Sequence, residues 1–313
     1  MKSCSHGRKV INTESVKEPD QVPRPYVSVI IPVFDDEEGV SACLGGLVTQ
    51  TYPLDKFETI IVDNGSSIPI RVPKNFPFDI KVVRCMKPGA YAARNAGIAV
   101  ACGSIFAFTD ADCIPDENWL SAGVAALQRE GRRKIIGGEV TMTLSQSPTA
   151  TERYQYLTGF MQRENIERRG FTATANMFCS RDMMDRVGEF NKVLLSGGDR
   201  EWAWRARKEG IDLAYAQNAI VYTSPRTTLK GAIRQARRVA AGRKNLRELN
   251  LTYMGVGLLK PHRSNLESLR WILTRHELNL GQRFKVLGVA LAIRTATLME
   301  SMRLKLGGVA ERR

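Results

Sequence analysis

The chain has 313 residues, 43% of them hydrophobic, enough to bury a substantial core in one large domain or in one domain with an appendage. The six cysteines form no C-x-x-C pair and no metal-like cluster, and no internal repeat or low-complexity tract appears, which excludes disulfide scaffolds, zinc modules and repeat arrays. The net charge of +14 is localised: residues 1–223 hold 27 basic and 27 acidic side chains, whereas residues 224–313 hold 19 basic and 5 acidic. A neutral domain with a basic extension points to an anionic partner, and free thiols to a reduced, cytoplasmic chain.

Residues 1–24 are polar, lack the apolar core of a signal peptide, and are expected to form a flexible tail. Beyond them, VSVIIPVF (27–34) predicts a buried strand and residues 37–49 a helix. ETIIV (58–62) and residues 80–84 predict two further strands. After the Pro88-Gly89 break, the Ala-rich segment 90–101 predicts a helix that Gly103 closes. Residues 104–109 predict another strand and 118–129 another helix. Short buried strands alternating with helices imply parallel strands covered on both faces, an α/β sandwich. Ligands in such folds bind beyond the carboxyl ends of the strands.

Three strand ends carry distinctive groups: IPVFDDEE, VDNGSS and TDADC. They would bring Asp63 and the Asp110/Asp112 pair to one rim. Two carboxylates in D-x-D suit Mg²⁺ or Mn²⁺, which takes one or two carboxylates and fills its shell with phosphate oxygens and water. A diphosphate leaving group needs such help as charge builds on its oxygens. D-x-D alone is also common in exposed turns.

Taken in order, VSVIIPVFDDEEGVSACLGGLVTQTYP, ETIIVDNGSS, KPGAYAARNAGIAVACGSIFAFTDADC and GEFNKVLLSGGDREWAWRARKEG resemble the family 2 glycosyltransferases of GT-A fold, from about Val27 to about Arg247. The resemblance implies a Rossmann-like nucleotide-binding sandwich over residues 25–225 and inverting, metal-assisted transfer from a nucleotide-diphosphate sugar, UDP-sugars being the family preference. It implies that Pro32, Val33, Phe34 and Glu37 line the nucleoside pocket and that Asp63 accepts from the base. Arg94 would face the diphosphate, Asp110 the ribose, and Asp112 would ligate the metal. Asp199 matches the family's general base, which would deprotonate an acceptor hydroxyl. Asn176, Gly198, Glu201 and Trp202 match positions near the donor sugar or acceptor, and Gln235 and Arg238, in RQARRV, echo the Q-x-x-R-W of processive synthases and its diphosphate contacts.

Four positions depart from the pattern. Gly198 stands where the family usually has Glu, Asn64 replaces a second acid, Thr223 lies near a frequent metal-binding His, and Val239 replaces the Trp of Q-x-x-R-W. Asp63 could simply begin an Asx turn, and Asp199 could cap its helix. Of Trp202 and Trp204, one belongs in the core and the other could stack on a sugar.

Residues 226–313 read as a helical basic extension. No nucleic-acid motif or aromatic interleaving accompanies its arginines. The segment 284–306 has too short an apolar run to cross a membrane, for which about 20 residues are needed. It suits an amphipathic helix at an anionic membrane surface, or packing on the catalytic domain or a second copy. The sequence thus predicts a glycosyltransferase at the cytoplasmic face of the cell membrane, acting on a glycan or lipid-linked acceptor in surface polysaccharide synthesis. A nucleotidyltransferase, or a non-catalytic nucleotide- or membrane-binding relative, is the alternative.

Overall fold

The computed structural model describes residues 24–73, 75–249 and 270–308, so the expected N-terminal tail lies almost wholly outside the described residues. One eight-stranded sheet organises the chain, in the order β3-β2-β1-β4-β7-β6-β8-β5. Its first half is the expected parallel unit: β1 (Val27–Val33) lies between β2 (Phe57–Asp63) and β4 (Ile105–Thr109), with β3 (Asp79–Arg84) outside β2. Helices α1 (Glu37–Val48), α2 (Ala90–Val100) and α3 (Trp119–Arg129) fall within a residue or two of the expected bounds.

The second half departs from an all-parallel sheet. β7 (Asn176–Ser180) runs antiparallel to both β4 and β6 (Lys134–Met142), and β8 (Asp212–Thr223) lies parallel to β6. The three-residue strand β5 (Cys113–Pro115) pairs antiparallel with the end of β8, Cys113 opposite Thr223. None of these pairings has a local signature: β7 is fully buried yet carries Asn and Ser, and most of β8 is partly exposed. The helices of this half are α4 (Ala150–Thr158), α5 (Gln162–Arg169), α6 (Arg181–Val187) and α7 (Gly198–Lys208).

β1, β2 and β4 are buried along their lengths, which is why their sequences are runs of Val, Ile and Phe rather than alternations. The main core extends from them through the ring contacts of Phe108 on Phe190 and Phe190 on Trp202, centroids 5.6 and 5.3 Å apart. The basic extension contributes α8 (Leu229–Glu248) and α9 (Leu280–Lys305). α8 joins the main core through Leu246. α9 packs along α8 and also forms a separate small core, in which Ile272, Leu278, Val286 and Ala290 meet Tyr154 and Leu157 of α4.

One buried carboxylate fastens the amino ends of this sheet. Glu58, 1% exposed, accepts from the Ser28 hydroxyl at 2.7 Å and the Cys102 N–H at 2.6 Å, and pairs with Lys81 Nζ at 2.7 Å. Burial works to raise its pKa, but Lys81, the Cys102 N–H and Ser28 outweigh that and hold it below the usual 4.5. A depressed folded-state pKa contributes stability above the unfolded value and loses it as pH falls through the folded one. Glu58→Gln is therefore expected to cost about 1–3 kcal/mol at pH 7. The gap from wild type should narrow as the pH falls below 4.5 and through the depressed folded-state value, as read by urea denaturation at each pH.

Candidate active site

The carboxyl ends of β1 and β4 open into a cavity of about 330 Å³, closed on the far side by α7 and α8. Pro32, Val33 and Phe34 continue β1 into its wall. Arg94 enters from α2, Asp110 and Asp112 from the end of β4, Asp199 and Arg200 from α7, and Gln235, Arg238 and Arg243 from α8. Residues as far apart in the chain as Pro32 and Leu246 thus face one volume, as the strand-end rule anticipates.

α2 is set by the loop before it. Gly89 has φ of +115°, a conformation that other residues rarely adopt. Asn64 pins this loop: its Oδ1 accepts from the Gly89 N–H at 2.8 Å, while Nδ2 donates to the carbonyls of Cys85 and Lys87 at 3.1 and 2.7 Å. An aspartate could not donate those two bonds, which explains the amide where relatives have a second acid. Arg94, 3% exposed, forms an ion pair with Asp110, and its Nε has no hydrogen-bond partner among the described residues.

Asp63 is 2% exposed and does not line the cavity. Its Oδ1 accepts from the Ser66 N–H at 2.8 Å, three residues on, so the carboxylate holds the turn after β2 by a longer loop than an Asx turn. Burial would raise its pKa, but the Ser66 N–H and hydroxyl, the Ile70 N–H and Arg84 bring it below the ordinary value. Glu37 stands exposed in the first turn of α1, outside the cavity lining.

The segment after D-x-D is clamped by β5 on β8. Thr223 donates to the carbonyl oxygen of Asp112 at 3.1 Å, and Arg226 Nη2 lies 3.5 Å from Asp112 Oδ2. The Arg226 N–H in turn donates to Gln155 at 2.6 Å, and the Gln155 amide donates to Gln235 at 2.8 Å. Sequence reasoning missed Arg226; its only signal was its place just past a strand end. Among the described residues no three His, Cys, Asp or Glu side chains gather into a metal-binding group. Asp112, about half exposed and facing the cavity, fits a hard cation that takes one carboxylate and completes its shell with phosphate oxygens and water.

Asp199 lies in the first turn of α7, whose N-cap is Gly197, so it does not cap the helix. Its Oδ1 accepts from the Tyr91 hydroxyl at 3.2 Å and from the Arg200 N–H at 2.8 Å. Burial, then the negative charge of Asp199, pushes the Tyr91 pKa well up, so the phenol remains a donor. Tyr91 also accounts for Gly198: a Cβ there would sit 2.7 Å from the Tyr91 ring. The family's usual glutamate has no room, and a phenol takes the place beside Asp199 that an acid would have. Nothing in GAYAAR marked Tyr91 for this position.

Four expected contacts do not reach the cavity. Asn176 is fully buried, its Oδ1 accepting from Trp119 Nε1 at 2.9 Å and its Nδ2 donating to the carbonyls of Glu139 and Ala219. Glu201 is buried against Arg205, 2.6 Å away. Trp202 is fully buried, its indole N–H donating to the Gly188 carbonyl, and Trp204 donates to the Arg169 carbonyl, so both tryptophans are core. Gly198 is buried under Tyr91. Helical periodicity alone could not separate these faces, because α7 is packed on more than one side.

A mixed sheet with nucleotide-type strand ends and helices on both faces defines a GT-A architecture. The mannosyltransferase PcManGT from Pyrobaculum calidifontis, solved with GDP-Man and Mn²⁺, has this fold: TM-score 0.58 at 16% identity, covering 90% of this chain and 89% of that one. S. aureus TarS 1-349 with UDP-GlcNAc superposes with TM-score 0.52, again at 16% identity, over 91% and 93% of the two chains. The model of glycosyl transferase family 2 matches residues 28–188, and the chain belongs to that family. Glycosyltransferase AglE of Haloferax volcanii is 38% identical over 201 residues, 63% of this chain and 66% of the relative. The pre-mycofactocin glycosyltransferase of Mycobacterium tuberculosis is 28% identical over 214 residues, 65% of this chain but 44% of its own length.

The packing of Tyr91 on Gly198 is directly measurable. Gly198→Ala is expected to lower stability by about 1–3 kcal/mol through the ring clash. In a Tyr91→Ala background the same change should cost less than about 1 kcal/mol, so the two effects are non-additive in chemical denaturation.

Proposed function

We propose that this protein transfers a sugar, with inversion, from a nucleotide-diphosphate donor to a hydroxyl of a glycan or lipid-linked acceptor. The carrying observation is that Asp110 and Asp112 on one side, and Asp199 on the other, share a single cavity with Arg94. Pro32, Val33 and Phe34 would pack the nucleoside, Asp110 would meet the ribose, and Arg94 and Arg238 would face the diphosphate. Mg²⁺ or Mn²⁺ held by Asp112 would supply charge neutralisation at the leaving diphosphate. Tyr91 and the Arg200 N–H both bond Asp199 through Oδ1, which would leave Oδ2 to the acceptor hydroxyl. As the acceptor oxygen bonds to the anomeric carbon, its proton passes to Asp199, and the electrons of the breaking C–O bond leave with the diphosphate. The nucleotide sugars in the two solved neighbours support a UDP- or GDP-linked donor.

The same reading places the enzyme on the anionic inner face of the cell membrane, where surface glycans are assembled. No helix among the described residues is long and apolar enough to cross a membrane. α9 instead exposes a stripe of Leu280, Phe284, Leu291, Leu298 and Met302, spaced so that all five lie on one side of the helix. Lys285, Arg303 and Lys305 flank it, which gives the helix the mixed apolar and basic face of an interfacial element.

Two measurements test these statements. Asp199→Asn should lose about 10²–10⁴-fold in turnover while its affinity for the nucleotide diphosphate is unchanged, as read by calorimetry and product formation. Full turnover in that variant would remove Asp199 as base. Leu298→Asp with Met302→Asp should abolish co-sedimentation with phosphatidylserine vesicles that the wild type shows at low salt, without altering nucleotide binding.

A further inference from the structure

The cavity contains more positive charge than the donor chemistry uses. Arg94 is neutralised by Asp110 and Arg226 lies against Asp112. Arg200, Arg238 and Arg243 also line the cavity, and none of the three has a hydrogen bond or ion pair from its guanidinium among the described residues. Arg238 faces the diphosphate side. Arg200 does not: it follows Asp199 in the chain, and it is absent from the hollow in which Arg238 meets Pro32, Val33 and Phe34.

Arg200 is held as a binding group would be. Its guanidinium lies over the Phe171 ring at 4.2 Å, with Trp204 at 5.9 Å, and its Nε is buried without a partner. Burying that much of an arginine without a carboxylate is costly unless a ligand supplies the anion. Burial, partly offset by Asp199 and reinforced by Arg243 and Arg169, brings its pKa down to about 10, so it stays charged at neutral pH. The planar fork stacked on an aromatic face suits bidentate recognition of an oxyanion.

The surroundings say where the anion comes from. Through Arg226, Gln235 and Arg238 the cavity adjoins a second hollow of about 180 Å³, lined by Arg234, Arg237 and Glu300 between α8 and α9. A basic track therefore leads from the base to the helix that carries the exposed apolar stripe. We propose that Arg200, with Arg243 at the rim, forms an oxyanion subsite for the acceptor, whose nearest source is the phosphate that joins a glycan to a lipid. This inference rests on Asp199 being the base, and a carboxylate on the acceptor sugar would offer the same chemistry.

The test uses the full chain saturated with Mn²⁺ and whichever of UDP or GDP binds, so that the donor phosphate groups are already occupied. Octyl phosphate, octanoate and octyl glucoside are titrated below their micelle concentrations by calorimetry. Octyl phosphate should bind at least about ten-fold more tightly than octyl glucoside, and Arg200→Gln should remove about ten-fold of that affinity. Arg200→Lys, which keeps the charge but not the fork, should fall between, and nucleotide affinity in both variants reports that they are folded. Octyl phosphate alone showing the gain identifies phosphate as the source; octanoate sharing it identifies a carboxylate. Equal affinity for octyl phosphate and octyl glucoside, or an Arg200→Gln protein that binds octyl phosphate like wild type, would overturn the subsite. If neither nucleotide binds, the donor reading fails on its own, and the same titration without nucleotide still decides Arg200.

Discussion

Three residues of β5 on three of β8 determine what the rest of this molecule can do. A strand that ends in two aspartates would release them into solvent if the chain after it were loose. Here Cys113 lies opposite Thr223, and the pairing brings the Thr223 hydroxyl to the Asp112 carbonyl and carries Arg226 to the Asp112 carboxylate. The contact adds the chain that follows β4 to the far edge of the mixed half, which the pairing of β4 with β7 already joins to the parallel half. It makes one site from residues that β4, β8 and α8 would otherwise keep apart.

The charge of the site follows from that closure. Arginines from α2, α7, α8 and the end of β8 converge on a volume whose aspartates number fewer. The excess is useful only with anionic ligands present, because unpaired guanidinium groups repel one another in a confined space. In the function proposed, the diphosphate of a donor would account for those beside β1 and β4. The acceptor would account for the one beside Asp199, and α8, which closes the cavity, leads to the helix whose apolar stripe suits a lipid surface. The basic extension is thus both a wall of the site and its link to the membrane in the function proposed.

Departures from the family pattern have local causes. Asn64 replaces an acid because two carbonyls beside it need donors. Gly198 replaces an acid because the Tyr91 ring occupies the space that its side chain would need. Thr223, where relatives often carry a metal ligand, donates to the chain that presents Asp112. The first two exchange an acid for a neutral group, all three sit at contacts that only the folded chain creates, and Asp112 and Asp199 both stay in the cavity.

The amino-acid sequence by itself determined the parallel half of the sheet, the strand-end aspartates and the separation of charge between the two parts of the chain. These are legible because hydrophobic runs, glycine breaks and D-x-D depend on neighbours a few residues away. Tertiary structure decided the antiparallel strands β5 and β7, the burial of Asn176, Glu201 and Trp202, and the roles of Tyr91, Arg200 and Arg226. Most of those outcomes depend on which groups meet across the fold, from 37 residues apart for Asn176 and Glu139 to 114 for Asp112 and Arg226, where no periodicity records the partner. An asparagine in a strand reads the same whether its amide faces a sugar or three groups of the core. Only the packing of β6, β8 and Trp119 around Asn176 settles it, because a buried amide must satisfy its hydrogen bonds wherever the fold supplies partners.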